Sequence, residues 1–390
     1  MQKEIAILGS TGSIGVSTLS VVKEHKNDFS ISLLSAHENI TKLLEQIKVF
    51  KPVKAFVTGV QPSDSQINEA KEYGCELEFD KKSLCETLSK SSSDTIVLAV
   101  SGAAGLEYGL ASLTNGKRLA IANKEPIVIA GHLFFDKAKK NNCEIIPIDS
   151  EHSAIFQCLC GKDRSGVEKL ILTSSGGPFH YFRDDEFENI KPEDALKHPT
   201  WSMGKKITVD SATMVNKALE VIEAKWLFNI DTSFIDVVVH RQSIVHSMVQ
   251  YVDGSILAQM GKTDMRFPIF YALTYPQNIN ANLPRLEFDE LLNLTFEPVN
   301  PYLKSALDIA RNCSKNYIDP IVFNAANEIF VENFLMGKIG FKECYKIIEA
   351  TLETCSHKFN TASSLEDILY IDNYARSVSL QIITQELIKL

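Results

Sequence analysis

Asp149, Ser150, Glu151 and His152 close an apolar run, Ile145-Ile146-Pro147-Ile148, with groups that can bind a metal or move a proton. If strand geometry persists for one more step, the two carboxylates, two residues apart, project to the same side. Like charges held together in that way require a cation between them. The competing reading is a strand running into a helix, with Ser150 as N-cap and Glu151 in the first turn, where acidic residues are ordinary.

A second cluster spans 209–223. Val215, Leu219, Ile222 and Trp226 repeat at helical spacing, with Asp210 or Ser211 as the expected N-cap. Asn216 and Glu220 stand at i and i+4, and Lys217 three residues before Glu220, so they share a neighbouring face. That arrangement is either a helical salt bridge or an anion site built from a helix N-terminus, Ser211, Asn216 and Lys217, with the Glu220 carboxylate one turn further on. Ser174-Ser175-Gly176-Gly177-Pro178 offers two hydroxyls and accessible backbone donors, a phosphate cradle or a simple turn. The stretch from Lys197 to Lys206, with His198, Trp201, Met203 and Gly204, mixes large, small and basic groups without periodicity, as a mobile lid or a surface loop does.

These groups need elements to position them. Ile5-Ala6-Ile7-Leu8, then Gly9-Ser10-Thr11-Gly12-Ser13-Ile14-Gly15, then Val16, Leu19, Val21 and Val22 read as strand, glycine loop and helix. The G-x-x-G-x-x-G spacing is a variant of the dinucleotide fingerprint, in which absent side chains let backbone approach a pyrophosphate. A second strand, Ile31 to Ala36, ends in His37-Glu38-Asn39. An acidic residue at that point suits the ribose of NAD, so Glu38 by itself argues for NAD. Further alternation predicts a helix from Ile40 to Phe50, a strand at Ala55-Phe56-Val57, a helix from Ser65 to Tyr73, and strands at Thr95 to Val100 and Arg118 to Ala122.

The expected fold class is α/β: an N-terminal Rossmann-like doubly wound parallel sheet (1–149), a central α+β catalytic domain (150–274), a Pro- and Asn-rich linker (275–300) and a C-terminal helical domain (301–390). Later strand ends carry Ser101-Gly102-Ala103-Ala104-Gly105, where a flat ring can lie against backbone, and Asn123-Lys124-Glu125-Pro126. His240 and His246 fall on strands and read as structural, and Val252-Asp253-Gly254-Ser255 as a hairpin turn.

Composition narrows the class. With 390 residues, 45% apolar and 23% charged, the chain is globular and long enough for more than one core. A net charge of −9 gives no electrostatic footprint for nucleic acid. No apolar run reaches membrane-spanning length, and Met1-Gln2-Lys3-Glu4 leads straight into a strand, so a cytoplasmic protein without membrane contact is expected. The eight cysteines lack the paired spacing of a zinc or redox site and read as free thiols.

Taken in order, the glycine loop, Asn123-Lys-Glu125, Asp149-Ser-Glu-His152, Ser174-Ser-Gly-Gly-Pro178, His198-Pro-Thr-Trp-Ser-Met-Gly204 and Asp210-Ser-Ala-Thr213 with Asn216, Lys217 and Glu220 resemble the 1-deoxy-D-xylulose 5-phosphate reductoisomerase family over nearly the full length. The resemblance implies that Asp149, Glu151 and Glu220 hold one Mg²⁺ or Mn²⁺, and that Ser175, Ser211, Asn216 and Lys217 bind the substrate phosphate. Ser150, Glu151, Glu220 and Lys124 would face the reacting end, with Lys124, Asp149, Glu151, Glu220 and His198 as the catalytic set. His198, Trp201 and Met203 would form a lid. NADPH would lie along the residues of the glycine loop and against His37, Asn39, Ala103, Asn123, Lys124, Glu125 and Gly204.

The implied reaction isomerises a small phosphorylated sugar by retro-aldol cleavage and re-aldolisation and reduces the resulting aldehyde, in a homodimer. Three positions depart from the family pattern: Glu38 where a basic residue is usual, with His37 or a nearby lysine as compensation; Pro126 in place of serine; and Arg241 in place of proline. The alternatives are a semialdehyde-type dehydrogenase, which needs an activated cysteine, and a non-catalytic dinucleotide-sensing protein, which leaves the three carboxylates without a purpose.

Overall fold

The protein was analysed as a computed structural model, which describes all residues except Met1, Ser101, Ala103, Ala104, Thr200, Ser202, 290–292, Ser356 and Leu390, and omits the side chains of 386–389. The expected contact at Ala103, and Thr200 and Ser202 of the expected lid, lie outside the described residues. The chain divides into two compact units. Unit 1 comprises Met1–Pro126, His132–Ser153 and Asp264–Pro284, and unit 2 comprises Ile127–Gly131, Ala154–Thr263 and Arg285–Leu390.

Elements alternate strictly at first: β1 Lys3–Leu8, α1 Ser13–Glu24, β2 Phe29–Ala36, α2 Ile40–Phe50, β3 Lys54–Val57, α3 Asp64–Glu72, β4 Glu76–Phe79, α4 Lys81–Lys90, β5 Thr95–Leu98, α5 Gly105–Ser112, β6 Arg118–Ile121, α6 Glu125–Lys140, β7 Glu144–Pro147 and α7 Ser150–Leu159. The seven strands form one sheet in the order β4-β3-β2-β1-β5-β6-β7, with every pairing parallel. Crossover helices explain why β1 can run apolar without alternation after its charged start: Ile5, Ala6, Ile7 and Leu8 are wholly buried, as strands covered on both faces are. The order reverses between β2 and β5 on either side of β1, and the crevice at such a switch point is where ligands of open α/β sheets bind.

The sequence pattern did not show β4 and α4. β4 is a short edge strand with one buried residue, Leu77, so it carries no apolar run to detect. β7 also ends at Pro147 rather than continuing through Glu151. A helix begins at Ser150, and the Ser153 amide donates to the Asp149 carbonyl at 2.8 Å, which makes Asp149 the capping position.

In unit 2, β8 Val167–Ser174 leads through α8 Pro192–Ala195 to α9 Lys205–Ala212 and α10 Val215–Phe228, then β9 Ile235–Val239, β10 Val245–Tyr251 and β11 Ile256–Met260. Their sheet has the order β11-β10-β8-β9, with β8 and β9 parallel and the other pairs antiparallel. β10 and β11 form the expected hairpin about Asp253 and Gly254. The chain ends in α12 Pro301–Cys313, α13 Asp319–Leu335, α14 Glu343–Cys355 and α15 Leu365–Lys389. α13 is buried around much of its circumference, including Phe323, Phe330 and Phe334, and packs against α14 and α15. Among the described residues, no helix is long and apolar enough to cross a membrane.

α11, Arg266–Thr274, falls inside the expected catalytic segment but packs in unit 1. Its Phe270 ring lies 4.7 Å from that of His25, which caps the end of α1, and the Arg118 guanidinium of β6 donates to the Ala272 and Tyr275 carbonyls at 3.3 and 2.8 Å. The helical segment 301–390 belongs to the same compact unit as 154–263. Both groupings arise from contacts distant in sequence, which local composition does not encode.

Candidate active site

In unit 1, register brings the chemistry together. β6 and β7 are neighbours with Ile121 opposite Pro147, and the Ile148 amide still donates to the Ile121 carbonyl at 2.8 Å. The strands therefore exit side by side, and Lys124 arrives next to Asp149, Nζ to Oδ2 2.7 Å, with both side chains almost buried. His152 Nδ1, one turn along α7, lies 3.7 Å from the same oxygen. Burial pushes the Asp149 carboxyl up, but the Lys124 ammonium and His152 outweigh it and hold the group well below the usual carboxylate range. The Ser150 hydroxyl donates to Glu151 Oε2 at 2.5 Å. The result is an ionised carboxylate, a second carboxylate, an ammonium and a hydroxyl at the carboxyl ends of two adjacent strands.

The glycine loop lies at the switch point of the same sheet. Gly9 has φ +81°, and a Cβ there would stand 2.4 Å from the Ala99 carbonyl beyond β5. A Cβ on Gly15 would stand 2.4 Å from the Gly9 carbonyl, so the first turn of α1 can pass this close only with glycine. Gly12 caps α1 with no side chain, leaving the helix N-terminus open to an anion. Gln46 holds the loop from below: its amide donates to the Ser10 carbonyl at 2.9 Å and accepts from the Ser10 hydroxyl at 2.6 Å. The Lys42 ammonium donates to the Thr11 carbonyl at 3.0 Å.

Sequence reasoning missed Gln46. Its signal was a polar residue within the buried face Ile40, Leu43, Leu44 and Ile47 of α2. Of the expected cofactor contacts beyond β2, Asn39 caps α2 by accepting from the Lys42 amide at 3.1 Å. His37 and Glu38 are both exposed, with His37 Nε2 3.7 Å from Glu38 Oε1. Lys124 and Glu125 are buried at the start of α6, where Pro126 occupies the first turn, a position that needs no amide donor.

Unit 2 assembles a different set. β8 ends at Ser174, and Ser175-Gly176-Gly177 turns away with φ +77° and +63° at the glycines. Added Cβ atoms there would meet Val239 Cγ1 at 2.8 Å and the Ser211 carbonyl at 2.9 Å, so the loop threads between β9 and the end of α9. The Trp201 amide donates to His198 Nδ1 at 2.9 Å, which places the ring proton on Nε2, 3.0 Å from the Ser175 hydroxyl. The expected Lys217 to Glu220 pair is present at 2.5 Å, and the Asn216 amide donates to the other Glu220 oxygen at 2.6 Å. Both members of the ion pair are essentially inaccessible, 3% and 1%, unlike a solvated helical salt bridge.

The N-cap expectation for this helix is corrected. Asp210 and Ser211 belong to the separate helix α9, and α10 starts after Met214 in a left-handed conformation, φ +60°. Asp210 is buried between Lys206 at 2.8 Å and the Asn327 amide at 2.8 Å, a structural role. Gly204 precedes α9 as its cap. His240 is structural as expected: buried, stacked on Phe296, accepting from the Ile244 amide and bonded through Nδ1 to the Thr295 carbonyl at 2.8 Å.

The cysteines are free thiols, and burial pushes Cys75 up to about 12 and Cys158 and Cys355 up to about 11. Those shifts run against the activation that a thiol nucleophile needs.

A doubly wound sheet with a glycine crossover at its switch point places unit 1 in the dinucleotide-binding α/β class, here with an ionised carboxylate beside a lysine at the ends of two adjacent strands. Three family profiles match, described as 1-deoxy-D-xylulose 5-phosphate reductoisomerase over residues 5–131, its C-terminal domain over 145–228, and DXP reductoisomerase C-terminal domain over 260–378. A curated reductoisomerase of that name from Ruminiclostridium cellulolyticum is 46% identical over 98% of this chain and 100% of its own. The chain thus belongs to the 1-deoxy-D-xylulose 5-phosphate reductoisomerase family. Two solved structures share the fold at TM-score 0.89 and 38% identity. One is a DOX-P reductoisomerase in complex with NADPH, fosmidomycin and magnesium, covering 98% of both chains. The other is the Zymomonas mobilis enzyme in complex with NADPH, covering 98% of this chain and 99% of that one.

Proposed function

We propose that the protein converts 1-deoxy-D-xylulose 5-phosphate to 2-C-methyl-D-erythritol 4-phosphate with NADPH and a divalent metal, Mg²⁺ or Mn²⁺, as a step of isoprenoid biosynthesis. The end-to-end match carries this reading, since 46% identity spans 98% of the chain with no part of the relative left over. The donor set fits the metal: Asp149, Glu151 and Glu220 offer hard carboxylate oxygens, which suit Mg²⁺ or Mn²⁺ and not a thiolate-preferring ion. When bound, the cation supplies Lewis acidity at the substrate's adjacent oxygens, and the nicotinamide supplies hydride.

The chain's own residues do the rest. Lys124, paired with Asp149 at 2.7 Å, would offer its ammonium to the sugar's reacting end together with Ser150. Ser175, Ser211, Asn216 and Lys217 hold the phosphate, and His198, through its Nε2 proton, orients the Ser175 hydroxyl. The segment carrying His198, Trp201 and Met203 closes over the sugar, using phosphate binding energy to exclude water. The glycine loop takes the pyrophosphate, with His37, Asn39, Asn123, Glu125 and Gly204 along the remaining length of NADPH; Lys42 is the nearby lysine that offsets Glu38. By role rather than by packing, 1–149 serves the cofactor, 150–274 the chemistry and 301–390 support.

Turnover of deoxyxylulose phosphate with NADPH is expected to vanish in EDTA and return with Mg²⁺ or Mn²⁺; turnover that survives complete metal removal would sink the proposal. The reading includes a cytoplasmic homodimer. The outermost strand β11 leaves Ile256 and Leu257 exposed at 49% and 38%, an apolar edge suited to a second copy. Light scattering at assay concentration should give twice the 43.5 kDa chain mass, and a monomer would refute the dimer.

A further inference from the structure

We propose that Arg241 is a positioning residue for the loop Ser175-Gly176-Gly177, fixing it from behind and supplying a cation that favours a bound phosphate. The inference rests on the reading that this loop holds the substrate phosphate. β8 and β9 are parallel neighbours with Ser174 opposite Val239, so the segments leaving them run together. The His240 amide donates to the Ser174 carbonyl at 2.7 Å, and Arg241 Nη1 to the Gly177 carbonyl at 3.3 Å.

The loop needs such an anchor. Gly177 is buried, so its carbonyl needs a donor from within the protein, and the Arg241 guanidinium supplies one. On the other side, the Gly176 and Gly177 amides donate to the Ser174 and Ser175 hydroxyls at 3.2 and 3.4 Å. Both glycines take left-handed φ, so the serine hydroxyls hold the amide side of the loop and Arg241 holds the Gly177 carbonyl.

Arg241 is itself held. Its guanidinium lies 5.2 Å from the centre of the Tyr181 ring, a cation–π contact. The Tyr181 hydroxyl donates to Glu297 Oε1 at 3.0 Å, and His180 Nε2 meets the other oxygen at 3.1 Å. Glu297 is joined to Val239 by a reciprocal pair of backbone bonds at 2.9 Å, which closes the frame on β9. Lys217 shares its ammonium with Glu220 at 2.5 Å, whereas Arg241 brings its charge to the loop through a carbonyl. A phosphate dianion in the loop gains from that charge without touching it.

Arg241→Ala is expected to raise KM for the sugar phosphate about tenfold, the factor equivalent to ~1.4 kcal/mol. kcat should stay within about twofold and KM for NADPH unchanged, because neither reacting centre involves this frame. Arg241→Lys, keeping the charge without the fork, should recover part of the loss. Tyr181→Leu, at an exposed position, should raise KM in the same direction and add little to Arg241→Ala. An Arg241→Ala KM equal to that of the native chain, in enzyme that turns over the sugar phosphate, overturns this role and leaves the proposed function standing. So does a parallel fall in kcat and Tm with KM unmoved. A native chain without turnover overturns both.

Discussion

Glu220→Gln is expected to lower kcat/KM by about a hundred- to a thousandfold at standard metal, the scale on which losing a group that stabilises transition-state charge acts. Raising Mg²⁺ or Mn²⁺ should recover part of it, because two carboxylates remain. The substitution has a second, separable effect. Glu220 is fully buried and accepts from both Asn216 and Lys217, so a neutral amide removes the counter-charge of a buried ammonium. Breaking a buried pair costs about 3–5 kcal/mol, and the retained amide oxygen should keep the loss near the lower end of that range. Thermal unfolding reads this cost without substrate or metal. The metal assignment for Glu220 fails if the variant binds Mn²⁺ with native affinity and loses only stability. Native activity would remove Glu220 from the site altogether.

Asp149→Asn should reduce turnover to a similar degree while leaving NADPH affinity close to native, since the glycine loop lies on a different strand exit. A Kd for NADPH measured by fluorescence titration, set beside turnover, checks both halves; native turnover would exclude Asp149 as a metal ligand. The same variant tests the ion pair with Lys124. Burial alone would raise this carboxyl, but the pair and His152 hold it well below the usual range. A depressed folded-state value means that the carboxylate stabilises the fold above the unfolded value of about 4. That contribution is lost as pH falls through the lower folded value. The native chain should therefore exceed Asp149→Asn in stability most clearly near neutral pH, with the gap closing in strong acid. A gap independent of pH would mean that shape, and not charge, is what Asn disturbs.

Much of the fold was legible because local rules govern it. The first β-α-β unit announced itself by an apolar strand, glycines and a 3.6-residue period, and the hairpin of β10 and β11 by its Asp-Gly turn. β4 was illegible because a short strand with one buried residue has no period. The break between α9 and α10 was illegible for another reason. Met214 adopts φ +60°, a conformation that side chains with a Cβ disfavour, so no residue preference signals it. Tertiary packing imposes it, with the apolar spacing running on across the break.

The site divides along the same line. Residue types and near spacing determined by themselves that carboxylates, a lysine, hydroxyls and glycines were present, and that Asn216, Lys217 and Glu220 would share one turn of helix. Only the tertiary structure decided that the Lys217–Glu220 pair would be sealed from water, that Lys124 would meet Asp149, that Ser175 would face His198, and that Arg241 would reach Gly177. Helical neighbours follow from the 3.6-residue repeat, which any stretch of sequence displays. Partners across parallel strands follow from register, and register is set by how whole buried faces pack, a property of the assembled sheet rather than of any segment.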